Sequence, residues 1–420
     1  MIKAGSLFYA IVISIIIAIT SSAIILSEYI TKIEAENLYL TNRLQLNAES
    51  GYNLLLSKQA IISDNQSKII DLYNNGTDSV LLCLKKWGAY EIAISKAIHG
   101  SKHTLCIGQT GFYTDSADAY SLYLADEDKP LALCGKTSIK GTAFLPKAGV
   151  KRAYIEGESF IGTDLIEGTV KESKKTLPDF NKSVLESLKS AFSKKMFADN
   201  DSIVLLENGI SDDTLINSFN NNTIVFNSTK SLNLISGIYQ GNVAFFSDTQ
   251  IDIFPGIQLN DIIIIAPQIH IHSGFRGNIQ SFATDSIVVE EKVTLFYPSA
   301  LGIIKAENSK APSHIIISKL DTIAGSVFIY KGITTTKPAA IHIAEQACII
   351  GEIYSNAQID IKGELKGSLM CKNIVLKTAS SVYENHLLNA TINVLKRPKQ
   401  YVGINLTEEA KTKKTVKWLY

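Results

Sequence analysis

Four side chains stand at spacings that chemistry can use: Asp252, His270, His272 and Glu290. Eighteen residues separate Asp252 from His270, and eighteen separate His272 from Glu290. His270 and His272, two positions apart, share a face if their segment is a strand. On strands stacked ~4.8 Å apart, Asp252–His270 and His272–Glu290 become side-by-side pairs. Such a set offers acid–base catalysis, metal binding or plain polar cross-strand pairing. A catalytic acid or base needs a concave, partly dry setting, whereas the flanking Gln250, Gln268 and Ser286 read as an open, wet face. The expectation is a row of polar pairs, with no catalytic, cofactor-binding or metal-binding residue and no cofactor. No GxSxG, HExxH or phosphate-binding glycine loop occurs in the chain, so a non-enzymatic protein is expected.

The elements that position these residues repeat. Gln250-Ile251-Asp252-Ile253 is followed after eighteen residues by Gln268-Ile269-His270-Ile271, and after eighteen more by Ser286-Ile287-Val288-Val289. Ile341-His342-Ile343 and Ile359-Asp360-Ile361 share that interval. Short alternating segments at 18–20-residue intervals, with no helix between them, predict a right-handed parallel β-helix, or solenoid, in a mainly β chain. Stacked coils bury what one coil cannot. The predicted interior ladders are Ile251, Ile269 and Ile287, and Ile253, Ile271 and Val289.

Ahead of this body lies a long apolar helix. Residues Leu7 to Leu26 carry no charge, and about twenty apolar residues match the ~30 Å bilayer core. Lys3 precedes the run, while Glu28, Glu34 and Glu36 follow it with Lys32. That bias predicts a single pass through the cytoplasmic (inner) membrane, N-terminus in the cytoplasm and the bulk of the chain periplasmic. An apolar stripe through Ile30, Ile33, Leu40, Leu44, Ala48, Gly51 and Leu55 continues the helix, with Asn75-Gly76 as a stop.

The expected organisation is a leader at 1–5, a transmembrane helix and stalk at 6–75 and a β-rich connection at 76–140. A β-helix domain at 141–395 follows, with a helical insertion at about 176–198, and then a basic tail at 396–420. The inserted helix, Asp179 to Phe192, is expected to cap the solenoid's entrance. Trp87 to Ile94 reads as one strand with a polar interruption, and the tail as solvated or as a docking strand for another envelope component. Lys+Arg 41 against Asp+Glu 40 leaves no broad basic surface, so nucleic acid is not an expected partner. Cys83, Cys106, Cys134, Cys348 and Cys371 include no CxxC pair. Buried thiols are the expectation, with pairing among Cys83, Cys106 and Cys134 the alternative.

The N-terminus resembles those of type IV pilin-like proteins: a leader, MIKAG, then SLFYAIVIS and an uninterrupted helix. The run Ala48-Glu49-Ser50-Gly51-Tyr52-Asn53-Leu54-Leu55 is similar to a stretch of minor pilins and pseudopilins. The resemblance implies cleavage after Gly5, a mature chain beginning at Ser6, and partners that are other pilin-like or envelope proteins joined through the helix in the membrane. Major pilins carry glutamate at the fifth mature position, where this chain has Ala10. A tip or initiating subunit of a type IV filament or type II secretion-like machine is therefore implied. The segments Gly351-Glu352-Ile353-Tyr354, Gly363 to Leu369 and Asn373-Ile374-Val375-Leu376 are similar to bactofilins, which implies self-association through the solenoid as an alternative scaffold role. Leu122 to Asp126, Cys134 to Gly141, Leu145 to Arg152 and Tyr383 to Leu388 resemble parts of uncharacterised membrane-anchored proteins of Bacteroidota, which implies no activity. An anchored carbohydrate-binding protein or polysaccharide-active enzyme is the remaining alternative.

Overall fold

The computed structural model describes residues 4–57, 66–74, 76–115, 119–194, 201–206, 213–305, 312–332, 338–408 and 411–419. They form a mainly β chain with one long N-terminal helix and a large parallel sheet consistent with a solenoid. Two compact units emerge. One holds the N-terminal helix with residues 66–83 and 94–106; the other holds 84–93 and the chain from 107 onward.

In the first unit, α1 runs from Ala4 to Leu56. Its apolar first half is exposed, with Leu7 65% and Ile24 67% accessible. It is long and apolar enough to cross a membrane. The predicted stripe becomes buried only from Leu44, where Leu44, Ala48, Gly51, Tyr52 and Leu55 face the sheet. Gly51 permits that approach: a Cβ there would lie 2.7 Å from Val80 and 2.5 Å from the Ser95 hydroxyl. The helix ends well before the expected stop, of which Asn75 lies outside the described residues. Strand β1 (Ser67–Ile70) instead pairs antiparallel with β2 (Ser79–Trp87), Ser67 opposite Cys83. Next come β3 (Tyr90–His99) and β4 (Lys102–Tyr113). Trp87 to Ile94 is therefore not one strand, because Gly88, at φ +62°, turns the chain back.

The second unit carries the parallel sheet, and its register follows the predicted eighteen-residue frame. Ile251, Ile269 and Ile287 are aligned rung to rung, as are Ile253, Ile271 and Val289. The first ladder continues through Ile315, Ile341, Ile359 and Ile374 without a break. All are buried, each stabilising the column by roughly 1.5–3 kcal/mol. A corner is fixed by aligned Ser299, Gly325, Gly351 and Gly367. A Cβ on Gly325, Gly351 or Gly367 would fall 1.7–1.9 Å from the carbonyl oxygen of the preceding rung.

Chain order and stacking order differ. Strands β5 (Tyr120–Leu124), β6 (Leu131–Cys134) and β7 (Ser138–Lys140) belong to the expected connection at 76–140, yet they lie against the last rungs of the body. Leu122 pairs with Leu369, Ala132 with His386, and Ile139 with Ile392. Strand β8 (Thr142–Leu145) then pairs with β5. Two of the segments singled out by resemblance, around 134–141 and 383–388, thus meet on neighbouring rungs. A parallel rung needs only backbone partners and fitting side chains, so an early segment can complete a late one.

The inserted helix α2 (Lys182–Phe192) is capped by Asn181, whose side chain accepts from the Val184 amide at 3.1 Å. It lies along a flank and does not cap the entrance. Phe180 at its start packs on Phe328, Tyr330 and Tyr354, while Lys194 at its end reaches Asn227 and Phe246. The reason is an outward ladder of alternate residues, Phe246, Ile265, Phe282, Gly302, Phe328 and Tyr354. That apolar face needs a cover, and the Val184–Leu188–Ala191 stripe supplies part of it. Nor is the tail solvated. Tyr401, Val402, Ile404 and Leu406 are buried, and Thr412–Leu419 pairs antiparallel with the Ile107–Tyr113 part of β4.

Candidate functional site

The strand Gln250–Ile253 carries Asp252, the strand Gln268–Ile271 carries His270 with His272 just beyond it, and Glu290 follows the strand Ser286–Val289. Backbone ladder bonds extend past the strands, from the His272 amide to Ile253 and from the Glu290 amide to Ile271. Three successive rungs therefore hold the four side chains on a rigid frame.

The predicted neighbours come together, but not as two separate pairs. Asp252 Oδ1 lies 3.5 Å from His270 Nδ1 and 3.2 Å from His272 Nε2. Glu290 Oε1 lies 2.9 Å from His270 Nε2 and 3.4 Å from His272 Nδ1. Each carboxylate touches both imidazoles, and the two carboxylates address opposite ring nitrogens. The setting is half-open: the His270, His272 and Glu290 side chains are 32%, 23% and 37% accessible. The Asp252 side chain is 13% accessible, and Phe254 stacks on His272 with centroids 4.1 Å apart. Gln250 Nε2 donates to Asp252 Oδ2 at 2.7 Å, so the flanking amide shields the acid. The Ser273 amide donates to Glu290 Oε2; chiefly for that reason, and through the two imidazoles, the Glu290 carboxyl is held below its usual range.

Gly5 and Ser6 lie inside α1 in its exposed segment, and nothing would touch a Cβ placed on Gly5. All five cysteines are free. Burial pushes the Cys106 thiol up to about 11, helped by the nearby Glu49, and that of Cys371 higher still. Cys106 and Cys371 are thus buried thiols that burial holds in the protonated form.

Sequence reading missed a cleft of about 1260 Å³. It opens where the outward ladder of the body continues through Tyr354, Met370, Tyr123 and Phe144. Tyr123 and Phe144 stack at 5.3 Å, with Tyr120 edge-on to both. Arg397 and Glu352, a largely buried pair at 3.5 Å, form part of the lining. The available signal was aromatic residues at outward strand positions, but their assembly depends on rungs far apart in sequence. Comparison with family models, with curated proteins and with solved structures finds no match for this chain.

Proposed function

We propose that this is a non-enzymatic, membrane-anchored envelope protein that enters a pilin-like assembly as a minor subunit and presents a right-handed β-solenoid outside the cytoplasmic membrane. The observation that carries the reading is the division of α1. Its first half is apolar and exposed, whereas from Leu44 onward one face, Leu44, Ala48, Gly51, Tyr52 and Leu55, is buried within its own unit. An exposed apolar stretch of this length needs lipid or other apolar helices around it. The packed half holds the folded unit to that stretch. Lys3 before the run and three glutamates after it favour the N-terminus inside. Ala10 leaves the helix without a charge to neutralise a neighbour's amine in an apolar bundle, which suits an end position better than a repeating shaft.

The test is N-terminal sequencing of the protein from membrane fractions. The mature chain should begin at Ser6, and substitution of Gly5 should leave the leader attached. Recovery of an intact Met1 would reduce the protein to a plain anchored solenoid.

The aromatic cleft favours a second reading, a ligand-binding body that uses α1 only as an anchor. Stacked Tyr123 and Phe144 beside a buried Arg–Glu pair offer flat apolar surface with fixed polar groups. Saturable binding of soluble oligosaccharides, lost on Tyr123→Ala with the fold retained, would favour it over an assembly role.

A further inference from the structure

We propose that Asp252, His270 and His272 bind a divalent transition-metal ion of the zinc class, with Glu290 supporting both imidazoles from behind. Among the described residues, these three form a group whose ligating atoms lie within 4.8 Å of one another. Four-coordinate zinc with bonds of ~2.0–2.1 Å holds its donors roughly 3.3 Å apart. The distances from Asp252 Oδ1 to His270 Nδ1 and His272 Nε2, 3.5 and 3.2 Å, match that edge length.

The opposite edges of the rings carry the stronger argument. A ligating histidine generally gives its other N–H to a carboxylate or carbonyl, which fixes tautomer and ring orientation. Here Glu290 Oε1 faces those other nitrogens, His270 Nε2 at 2.9 Å and His272 Nδ1 at 3.4 Å. With protons on the Glu290 side, three acceptor atoms face one another on the Asp252 side, an arrangement that a bound cation satisfies. The remaining oxygens are engaged elsewhere, Asp252 Oδ2 by Gln250 and Glu290 Oε2 by the Ser273 amide. Both carboxylates are thus oriented with the correct oxygen forward, and Phe254 fixes the plane of His272.

An ordinary polar pair in the same register column provides the contrast. His342 and Asp360 also stand on adjacent rungs, 3.7 Å apart, but form no such three-residue group. Two imidazoles and one carboxylate oxygen suit zinc, nickel or copper better than calcium or magnesium. Three protein ligands leave the fourth position for water or an external ligand.

The experiment uses the full chain in detergent, stripped with chelator and titrated with Zn²⁺ alone by calorimetry and metal analysis. The unmodified protein should hold one more equivalent than the His270→Ala/His272→Ala double variant, and Zn²⁺ should raise only the former's unfolding temperature. Asp252→Asn, nearly isosteric, should also lose that equivalent, which keeps the test open if the double variant misfolds. Glu290→Gln should retain the equivalent and weaken it by about 10–100-fold. Equal stoichiometry in the unmodified protein and a folded double variant would overturn the site. Complete loss on Glu290→Gln with no loss on Asp252→Asn would overturn the assignment of ligand and support.

Discussion

The guanidinium of Arg43 in α1 meets the carboxylate of Asp78, one residue before β2, at two points. Arg43 Nη2 donates to Oδ1 at 3.0 Å, and Nε stands 3.0 Å from Oδ2. Asn47 Nδ2, one helical turn on, donates to Asp78 Oδ2, and His99 Nδ1 lies 2.7 Å from Oδ1. A nearly buried acid thereby ties the helix to two strands of its own unit. The ion pair is charge-assisted through a single hydrogen bond, from Nη2, which makes the contact strong.

Asp78→Ala should destabilise the first unit by about 2–4 kcal/mol, because it leaves Arg43 and Asn47 facing a site without an acceptor. Denaturant unfolding of the full chain, with probes in this unit, measures the change. A loss below ~0.5 kcal/mol would mean that apolar packing at Leu44, Ala48 and Tyr52 alone holds the helix.

The interior ladder can be tested against its own surface. Ile269→Asp puts a lone carboxylate in the apolar column and should cost roughly 4 kcal/mol or more. Gln268→Asp, on the exposed neighbouring position, should stay within about 0.5 kcal/mol. Equal melting temperatures for the two variants would contradict the inside–outside alternation.

The glycine corner should be intolerant. Gly351 has φ +148°, and its Cβ would meet the Gly325 carbonyl at 1.9 Å. Gly351→Ala should therefore cost about 3 kcal/mol or more through backbone strain and displacement of the rung. Thermal melts would show it against Gly149→Ala, which shares a positive φ of +74° but has open space around it.

A pH dependence follows from Asp321. Burial pushes its carboxyl up to about 7, despite amide donors from Val293 and Ser318, each at 2.9 Å, that favour the charged form. The folded pKa lies above the unfolded one, so the folded state holds the extra proton between about 4 and 7. Stability should fall as pH rises through that window, by at most ~1.4 kcal/mol per pH unit from this group, and level off above it. Asp321→Asn should flatten the slope. An unchanged slope would assign the titration to another residue.

Acid should act differently on Glu91. Burial raises its carboxyl, but the ammonium groups of Lys413 and Lys86 beside it outweigh that and hold it below the usual range. This stabilisation is present above the unfolded pKa of ~4.3 and is lost as pH falls through the lower folded value. Glu91→Gln should remove that acid-side loss, measured as unfolding temperature against pH below about 4.

Spacing along the chain determined two things about this protein: an apolar helix long enough to cross a membrane, and the alignment of the rungs that keep the eighteen-residue interval. Both are local. Hydropathy needs only consecutive residues, and a parallel register needs only a repeat length, so Ile251, Ile269 and Ile287 were legible before any fold. Tertiary structure decided what depends on distant complementarity. It placed β5 against Leu369 to Cys371, α2 along the aromatic flank and Thr412–Leu419 on β4. No repeat encodes these, because a rung edge or an apolar face accepts any segment with fitting side chains. The four-residue cluster shows the same boundary. Sequence put Asp252 beside His270 and His272 beside Glu290, but the side chains lean across the rungs, and each carboxylate finds both rings. The choice of nitrogen is set by Gln250, Ser273 and Phe254, whose contacts exist only once the rungs are stacked.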